Sequence, residues 1–290
     1  MAKISGFTII RNAVINDYPI AEAICSVLPV VDEMIVAVGN CEDGTEELIR
    51  SIPSDKIKIF HSVWAPAHFK GGKILAVETD KAFQHISPGS DWAFYIQADE
   101  VVHEKYHSLI IEAAEKYRND KSIEGLVFNY LHFYGTYDYV GDSRKWYRRE
   151  IRMIRNDKNI SSYRDAQGFR KNEKKLKAKL IDAYIYHYGW VKNPEKMLVK
   201  YLNLGEFWQE SVAEKEYLRA QQVFNFDDFD SLTKFNGTHP AIMQKRIADK
   251  NWHVELDISQ KKFSLKERLL YWLEKKSGRR LFEFRNYKLA

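Results

Sequence analysis

The feature that most constrains the fold is a short apolar segment at 93–96 that ends abruptly in polar Gln97 and the adjacent carboxylates of Asp99 and Glu100. An apolar segment of this length predicts a buried strand. Two charged side chains cannot both enter a core, so we expect the strand to deliver them to a sheet edge, where open α/β sheets bind ligands. Carboxylates there suit a divalent cation that bridges phosphates. The alternative left open is that they only begin a polar loop or cap the following helix.

Strand and helix patterns alternate through the first hundred residues. Predicted strands lie at 4–10, 34–38, 57–60 and 93–96, each followed by a helical pattern. Such alternation predicts an α/β fold with a mostly parallel central sheet flanked by helices. The aromatic-rich segment at 125–134 and the alternating pattern at 151–156 predict antiparallel additions to that sheet.

Domain boundaries follow from this change of pattern. We predict one domain at 1–192, with an alternating strand–helix part at about 1–102 and a part that contains antiparallel strands at about 103–192. Helical patterns from 194 to about 219 then begin a helical C-terminal extension at 193–290.

The charge distribution and the cysteine content narrow the functional class and the cellular compartment of the protein. The net charge of +5 is concentrated at the C-terminus, where residues 260–290 hold ten Lys or Arg against three Glu. This distribution argues against a nucleic-acid enzyme with a basic groove across its face. Cys25 and Cys41 have no metal-ligand spacing, no apolar stretch approaches the roughly 20 residues that span a bilayer, and no signal peptide is evident. These features predict a cytoplasmic protein.

Several short motifs occur in an informative order. They are TIIRN at 8–12, VDEMIV at 31–36, DGT at 43–45, DW at 91–92 and QADE at 97–100, with RMIRN at 152–156, DAQGF at 165–169 and HYGW at 187–190 further on. Together they resemble the family 2 glycosyltransferases of the GT-A fold, of the bacterial type that builds cell-envelope polysaccharide. The resemblance implies transfer of a sugar from a nucleotide-diphosphate sugar to a glycan or lipid-linked hydroxyl, with inversion.

The same resemblance implies roles for individual residues. Asp99 and His187 would hold Mn²⁺ or Mg²⁺, although a lone histidine in an aromatic segment is often structural. Asp165 would be the general base, with Glu100 as its competitor, and a simple turn role for Asp165 stays open. The residues that would contact the nucleotide sugar are Arg11, Asn12, Asn40, Asp43, Lys73, Gln97 and Ala98.

Departures from the family pattern keep other functions open. The family usually has Asp where this chain has Val38 and Gln97, and Glu where it has Ala13. A non-catalytic nucleotide- or sugar-binding relative is therefore one alternative. A nucleotidyltransferase is another, although the basic, glycine-rich loop that such an enzyme needs after its first strand is missing.

The C-terminal segment 265–290 combines Leu, Trp and Phe with Lys and Arg. This composition is typical of a helix that lies on an anionic membrane surface, which would add a peripheral contact at the inner face of the cell membrane. An amphipathic helix that packs on the catalytic domain would show the same pattern, so both interpretations stand.

Overall fold

The computed structural model describes residues 1–68, 70–208, 216, 220–259 and 261–290. Its strands are β1 (Ile4–Ile10), β2 (Glu33–Val38), β3 (Ile57–His61), β4 (Trp92–Tyr95), β5 (Glu100–Val102), β6 (Gly125–Tyr134), β7 (Tyr139–Gly141), β8 (Arg149–Arg155), β9 (Ile160–Tyr163), β10 (Gly168–Lys171), β11 (Lys174–Lys175), β12 (Lys177–Trp190), β13 (Leu232–Lys234) and β14 (Lys288–Leu289). Its α-helices are α1 (Ile20–Val27), α2 (Thr45–Arg50), α3 (Lys73–Gln84), α4 (His107–Lys116), α5 (Pro194–Trp208), α6 (Gln244–Ala248) and α7 (Leu265–Ser277).

The N-terminal half forms a parallel sheet in the order β3–β2–β1–β4. All seven residues of β1 are buried because helices cover both faces of the sheet. Helices α1 and α4 pack on one face, with Ile10 of β1, and α3 packs on the other, with Phe7. This arrangement confirms the predicted α/β class and its mostly parallel core.

Antiparallel strands extend the sheet beyond β4. Strand β8 pairs antiparallel with both β4 and β6, and β12 pairs with β6 and with the short β5. The predicted antiparallel additions are therefore present. In this register His187 of β12 lies opposite Glu100 of β5 and beside His132 of β6, so two histidines meet near the end of the acidic segment.

The chain order reverses between β1 and β4. The chain passes from β1 to β2 and β3 on one side of the sheet, and then crosses to β4 on the other side. Open α/β sheets bind ligands outside the carboxyl ends of strands at such a point. The residues after β1 and β4 therefore form the expected ligand-binding edge.

Two local patterns differ from the sequence expectation. The strand expected at 183–186 extends over the whole of β12, where exposed Lys177 and half-buried Lys179 flank buried Ala178 at its start. Within the lysine-rich stretch at 170–179, Asn172 and Glu173 take positive φ and turn β10 into β11. The predicted domain boundary at 193 falls between β12 and α5 and stays a prediction. The helical pattern predicted up to about 219 lies partly outside the described residues.

Candidate functional site

Two adjoining cavities open at the carboxyl edge of the sheet. The smaller has a volume of about 380 Å³ and the larger about 720 Å³. Lys200, Gln97 and Leu204 line both cavities, as does Trp208 at the end of α5. The site therefore has two compartments that meet along helix α5.

The smaller cavity lies at the strand ends where a ligand was expected. Arg11 and Asn12 follow β1, while Gln97, Ala98 and Asp99 follow β4, and all five residues line it. The parallel register of β1 and β4 brings these two groups together.

Two residues in the wall of the smaller cavity each carry a buried donor without a hydrogen-bond partner among the described residues. The donors are Nε of Arg11 and Nε1 of Trp64. Buried polar groups are seldom left unpaired, so unpaired donors in a cavity wall suit a ligand rich in acceptors. A nucleotide, with its phosphate and base oxygens, is such a ligand.

Other predicted nucleotide contacts lie elsewhere. Asp43 accepts hydrogen bonds from the backbone N–H of Ile15 (2.8 Å) and of Thr45 (3.2 Å), so its carboxylate joins the loop after β1 to the start of α2. Asn40 is exposed and its side chain accepts from the backbone of Trp64, behind the cavity wall. Lys73 lines a separate, shallower opening. The structure does not bring these three side chains to the smaller cavity.

Asp99 lies between a lysine and a histidine. Its Oδ2 accepts a hydrogen bond from Nζ of Lys200 at 3.2 Å, and its Oδ1 lies 3.8 Å from Nε2 of His187. Burial alone would raise the pKa of Asp99, but nearby positive charge, above all Lys200, lowers it to about 2. The carboxylate is therefore charged at neutral pH.

Two buried lysines accompany this carboxylate. Lys200 also donates to the backbone oxygen of Gly189 (2.8 Å) and lies 4.8 Å above the ring of Tyr18. Lys192 lies over the same ring, donates to the backbone oxygen of Asp17, and has its pKa lowered well below the usual value by burial. Sequence analysis missed both lysines. The available signal for Lys200 was a cation inside the apolar helical pattern of α5, whereas Lys192 lies between β12 and α5 and had no such signal.

Hydrogen bonds determine which nitrogen of His187 carries a proton. A carbonyl can only accept, so His132 donates from Nε2 to the backbone oxygen of Tyr147 (2.7 Å). Burial lowers the pKa of both histidines, so both are neutral at pH 7 and His132 has a lone pair on Nδ1. His187 therefore donates from Nδ1 to this nitrogen (3.2 Å), which leaves a lone pair on Nε2 that faces Asp99.

This pair of acceptors fits a cation. The lone pair of His187 and the carboxylate oxygen of Asp99 face each other without a proton between them. Metal-binding histidines commonly donate their second N–H to a neighbouring acceptor, as His187 does to His132. In the part of the chain that the structure describes, no group of three His, Cys, Asp or Glu could hold a metal ion. Substrate phosphates and water would supply the remaining ligands, as they do for many Mg²⁺ ions.

Glu100 has a structural environment. Its oxygens accept from Nε and Nη2 of Arg152 at 2.9 and 2.7 Å, and from the hydroxyl of Tyr130 at 2.7 Å. Both charged groups are buried. A carboxylate engaged by a guanidinium and a hydroxyl is poorly available for proton transfer, so this geometry disfavours Glu100 as the competing base and suits a positioning role.

Asp165 lies at the larger cavity in an unusual backbone segment. Its neighbours Arg164 and Ala166 have φ values of 57° and 62°, and non-glycine residues in this region concentrate at functional sites. The side chain of Gln167 donates to Oδ1 of Asp165 at 2.8 Å. Asp165 also borders the opening that contains Lys73.

Glu150 also lines the larger cavity, where it accepts from Asn286 (2.9 Å), and burial raises its pKa. Sequence analysis missed Glu150, because a single Glu at the start of an alternating strand carries no distinguishing signal.

Comparisons with known proteins yield similar folds only. No family model matches the chain, and no curated protein matches it. Among solved structures, S. aureus TarS is 13% identical over 76% of this chain and 42% of its own, with a TM-score of 0.40.

A second match is glucosyl-3-phosphoglycerate synthase from Mycobacterium tuberculosis in complex with Mn²⁺, UDP and phosphoglyceric acid. It is 16% identical over 45% of this chain and 43% of its own, with a TM-score of 0.32. Another structure of that enzyme contains Mg²⁺ and UDP. The chain thus spans less than half the length of these proteins. Matches of this identity and TM-score carry no argument about activity.

Proposed function

We propose that this protein is a metal-assisted glycosyltransferase that moves a sugar from a nucleotide-diphosphate sugar to a hydroxyl of a glycan or lipid-linked acceptor, with inversion. The observation that carries the proposal is the junction of two cavities at Asp99 and Lys200. A donor in the smaller cavity and an acceptor in the larger would meet at a charged, buried edge.

The charges at this edge suit a departing diphosphate. When the bond between the anomeric carbon and the phosphate oxygen breaks, its electron pair moves onto the diphosphate. Fixed positive charge that faces such a group is commonly the largest contribution to catalysis. Lys200 and Arg11 line the smaller cavity and would provide that charge.

The acceptor side requires a base. We assign this role to Asp165, whose carboxylate would take the hydroxyl proton as the acceptor oxygen bonds to the anomeric carbon from the opposite side. Its position at the larger cavity supports this assignment. Glu150 and Asn286, in the same cavity, would bind acceptor hydroxyls.

A divalent metal, Mn²⁺ or Mg²⁺, would be held by Asp99 and His187. When bound there it would add positive charge beside the donor phosphates.

We expect one nucleoside diphosphate to raise the melting temperature of the protein, and Mn²⁺ to increase that shift. A ligand that binds only the native state stabilises it, by about 2.7 kcal/mol at 100 times its Kd. A thermal-shift screen of UDP, GDP and CDP with and without Mn²⁺ measures this. Arg11→Met should abolish the shift, and Arg50→Met, an exposed change on α2, is the control.

Release of the nucleoside diphosphate from the matching sugar donor separates the alternatives. Metal-dependent release supports a transferase. Binding without any release or transfer would favour the non-catalytic relative suggested by Val38, Gln97 and Ala13. Release of pyrophosphate from a nucleoside triphosphate would instead indicate a nucleotidyltransferase.

We expect His132→Phe to weaken Mn²⁺ binding by about 10- to 100-fold, the usual effect of losing a partner of a metal ligand. Phenylalanine cannot accept the proton of His187, which then has no fixed tautomer. Calorimetric titration with Mn²⁺ alone measures this without any turnover. His239→Phe is the matched control, because His239 also contacts a backbone oxygen and lies outside both cavities. Equal Mn²⁺ affinity in both variants would contradict the role of His132.

A further inference from the structure

The C-terminal helix α7 has well-defined ends. Ser264 accepts from the backbone of Glu267, and the side chain of Glu267 accepts from the backbone of Ser264, which forms a capping box. Gly278 ends the helix in the left-handed conformation, with φ of 66°. Because both ends are capped, the helix presents a fixed set of side chains.

Polar contacts fix the rotation of α7 about its axis. The hydroxyl of Tyr271 donates to Asp142 (2.7 Å), and Arg144 donates to Glu274 (2.8 Å). Arg280, just beyond the helix, donates to the same glutamate at 2.8 Å. One face of the helix is thereby held against the domain, and the opposite face is directed outward.

The outward face is apolar along one line. Leu265, Leu269 and Trp272 are spaced four and three residues apart and are 85%, 58% and 51% exposed. Phe282 is 91% exposed and has a φ of 56°, which is an outlier for a bulky residue. Phe282 and the apolar line of α7 are thus two exposed apolar features of the same C-terminal segment, and no described contact of either explains a role in stability.

The charges around this line have one sign. Exposed basic side chains flank it, namely Lys266, Arg268, Lys275, Lys276 and Arg279. Lys276 lies 4.6 Å above the ring of Trp272. The three glutamates of the segment are used elsewhere: Glu267 in the capping box, Glu274 with two arginines, and Glu283 with Arg148 at 2.6 Å. Lys275 lies 4.0 Å from Asp142, and the other four basic side chains flank the exposed apolar line with no ion pair among the described residues.

We propose that this tail face, defined as the apolar line of α7, Phe282 and the flanking basic residues, docks on the surface of an anionic phospholipid bilayer. Trp, Leu and Phe that project from a basic surface match the interfacial region of such a membrane. A second copy of the chain fits poorly, because a twofold interface would place the same positive residues against each other. No described helix is long and apolar enough to cross a membrane, so the contact is with the surface.

The tail face is connected to the larger cavity. Phe284, 67% exposed and two residues beyond Phe282, lines that cavity together with Asn286. A bilayer under the tail face would therefore lie near the cavity entrance. Docking itself does not depend on the proposed transferase function. The further conclusion that the acceptor is lipid-linked does rest on that function.

Flotation of the full chain with vesicles tests the docking. We expect binding to vesicles of phosphatidylcholine mixed with phosphatidylglycerol, little binding to phosphatidylcholine alone, and release at high salt, since salt screens surface charge. Each Lys or Arg near such a surface contributes about fivefold to affinity, so Lys276→Gln with Arg279→Gln should weaken binding about 25-fold. Phe282→Ser should weaken it about tenfold through loss of apolar burial.

Matched controls lie on another part of the surface. Ile242→Ser removes an exposed apolar side chain and Lys245→Gln an exposed charge, both outside the tail segment. Neither should change vesicle binding. Absence of binding to anionic vesicles, or equal losses in the controls, would overturn the proposal. A protein dimer that Phe282→Ser dissociates, without vesicle binding, would identify a second copy as the occupant instead.

The thermal-shift screen with nucleotides is independent of these results. Vesicle binding without nucleotide binding would retain the membrane inference and remove the transferase. Nucleotide binding without vesicle binding would retain the transferase and remove the membrane inference.

Discussion

Asp99→Asn is expected to reduce sugar transfer by about 100- to 1,000-fold, the range seen when one charge-stabilising group of an active site is removed. The amide keeps the size of the side chain and an oxygen for Lys200. It loses the negative charge that would hold the metal opposite His187. Donor consumption measured over a range of Mn²⁺ concentrations should show both the lower rate and a weaker metal response.

The asparagine variant is preferable to alanine because of Lys200. Asp99→Ala would remove both the counter-charge and the hydrogen-bond acceptor of Lys200, whereas Asp99→Asn removes only the counter-charge. Removing one partner of a buried charged pair costs about 3–5 kcal/mol, so urea unfolding of Asp99→Asn accompanies the transfer assay. Asp230→Asn is the matched control, since Asp230 is also buried and hydrogen-bonded but lies outside both cavities. Unchanged transfer and metal response in Asp99→Asn would exclude Asp99 as the metal ligand.

The low pKa of Asp99 also has a consequence for stability. Because its folded pKa is about 2, below the ordinary 3.8, the charged carboxylate stabilises the native state at neutral pH. That contribution is lost as the pH falls from about 3.8 towards 2. Asp99→Asn should therefore remove part of the acid dependence of unfolding in this window.

The parallel half of the fold was predictable because its signals are local. Continuous apolar segments and the helices between them require a sheet with both faces covered, and this placed Arg11, Gln97 and Asp99 at one edge. The signal at 151–156 was misleading in one respect. Alternation of apolar and basic residues predicts a half-buried strand, but Arg152 and Arg155 of β8 are both buried.

The rest of the site depends on long-range packing that no local pattern encodes. Lys200 reaches Asp99 only because α5 folds back over the strand ends, and the sequence separation between them is large. His132 contacts His187 because strands β6 and β12 pair in a register that places the two residues side by side. The spacing of the two histidines along the sequence does not define that register. Asp43 shows the opposite case. It follows a strand at a plausible ligand-binding position, but its carboxylate accepts from the backbone of Ile15 and Thr45 and thereby joins two loops.

Glu100→Gln is expected to lower the free energy of unfolding by about 3–5 kcal/mol, because it leaves the charge of Arg152 buried without a counter-charge. The guanidinium makes two hydrogen bonds to Glu100 and lies 5.4 Å from the ring of Tyr95 and 5.3 Å from that of Tyr130. Urea unfolding of the variant measures the change.

The double variant Glu100→Gln with Arg152→Met separates structure from catalysis. Removal of both charges should recover much of the stability that either single change loses, since an apolar replacement for a buried ion pair is often neutral. Arg50→Met breaks an exposed pair on α2 and should leave stability unchanged within error. If Glu100 only positions the strand end, the stabilised double variant should regain nucleotide binding and donor consumption. If it stays folded and binds nucleotide but cannot transfer, Glu100 rather than Asp165 is the base.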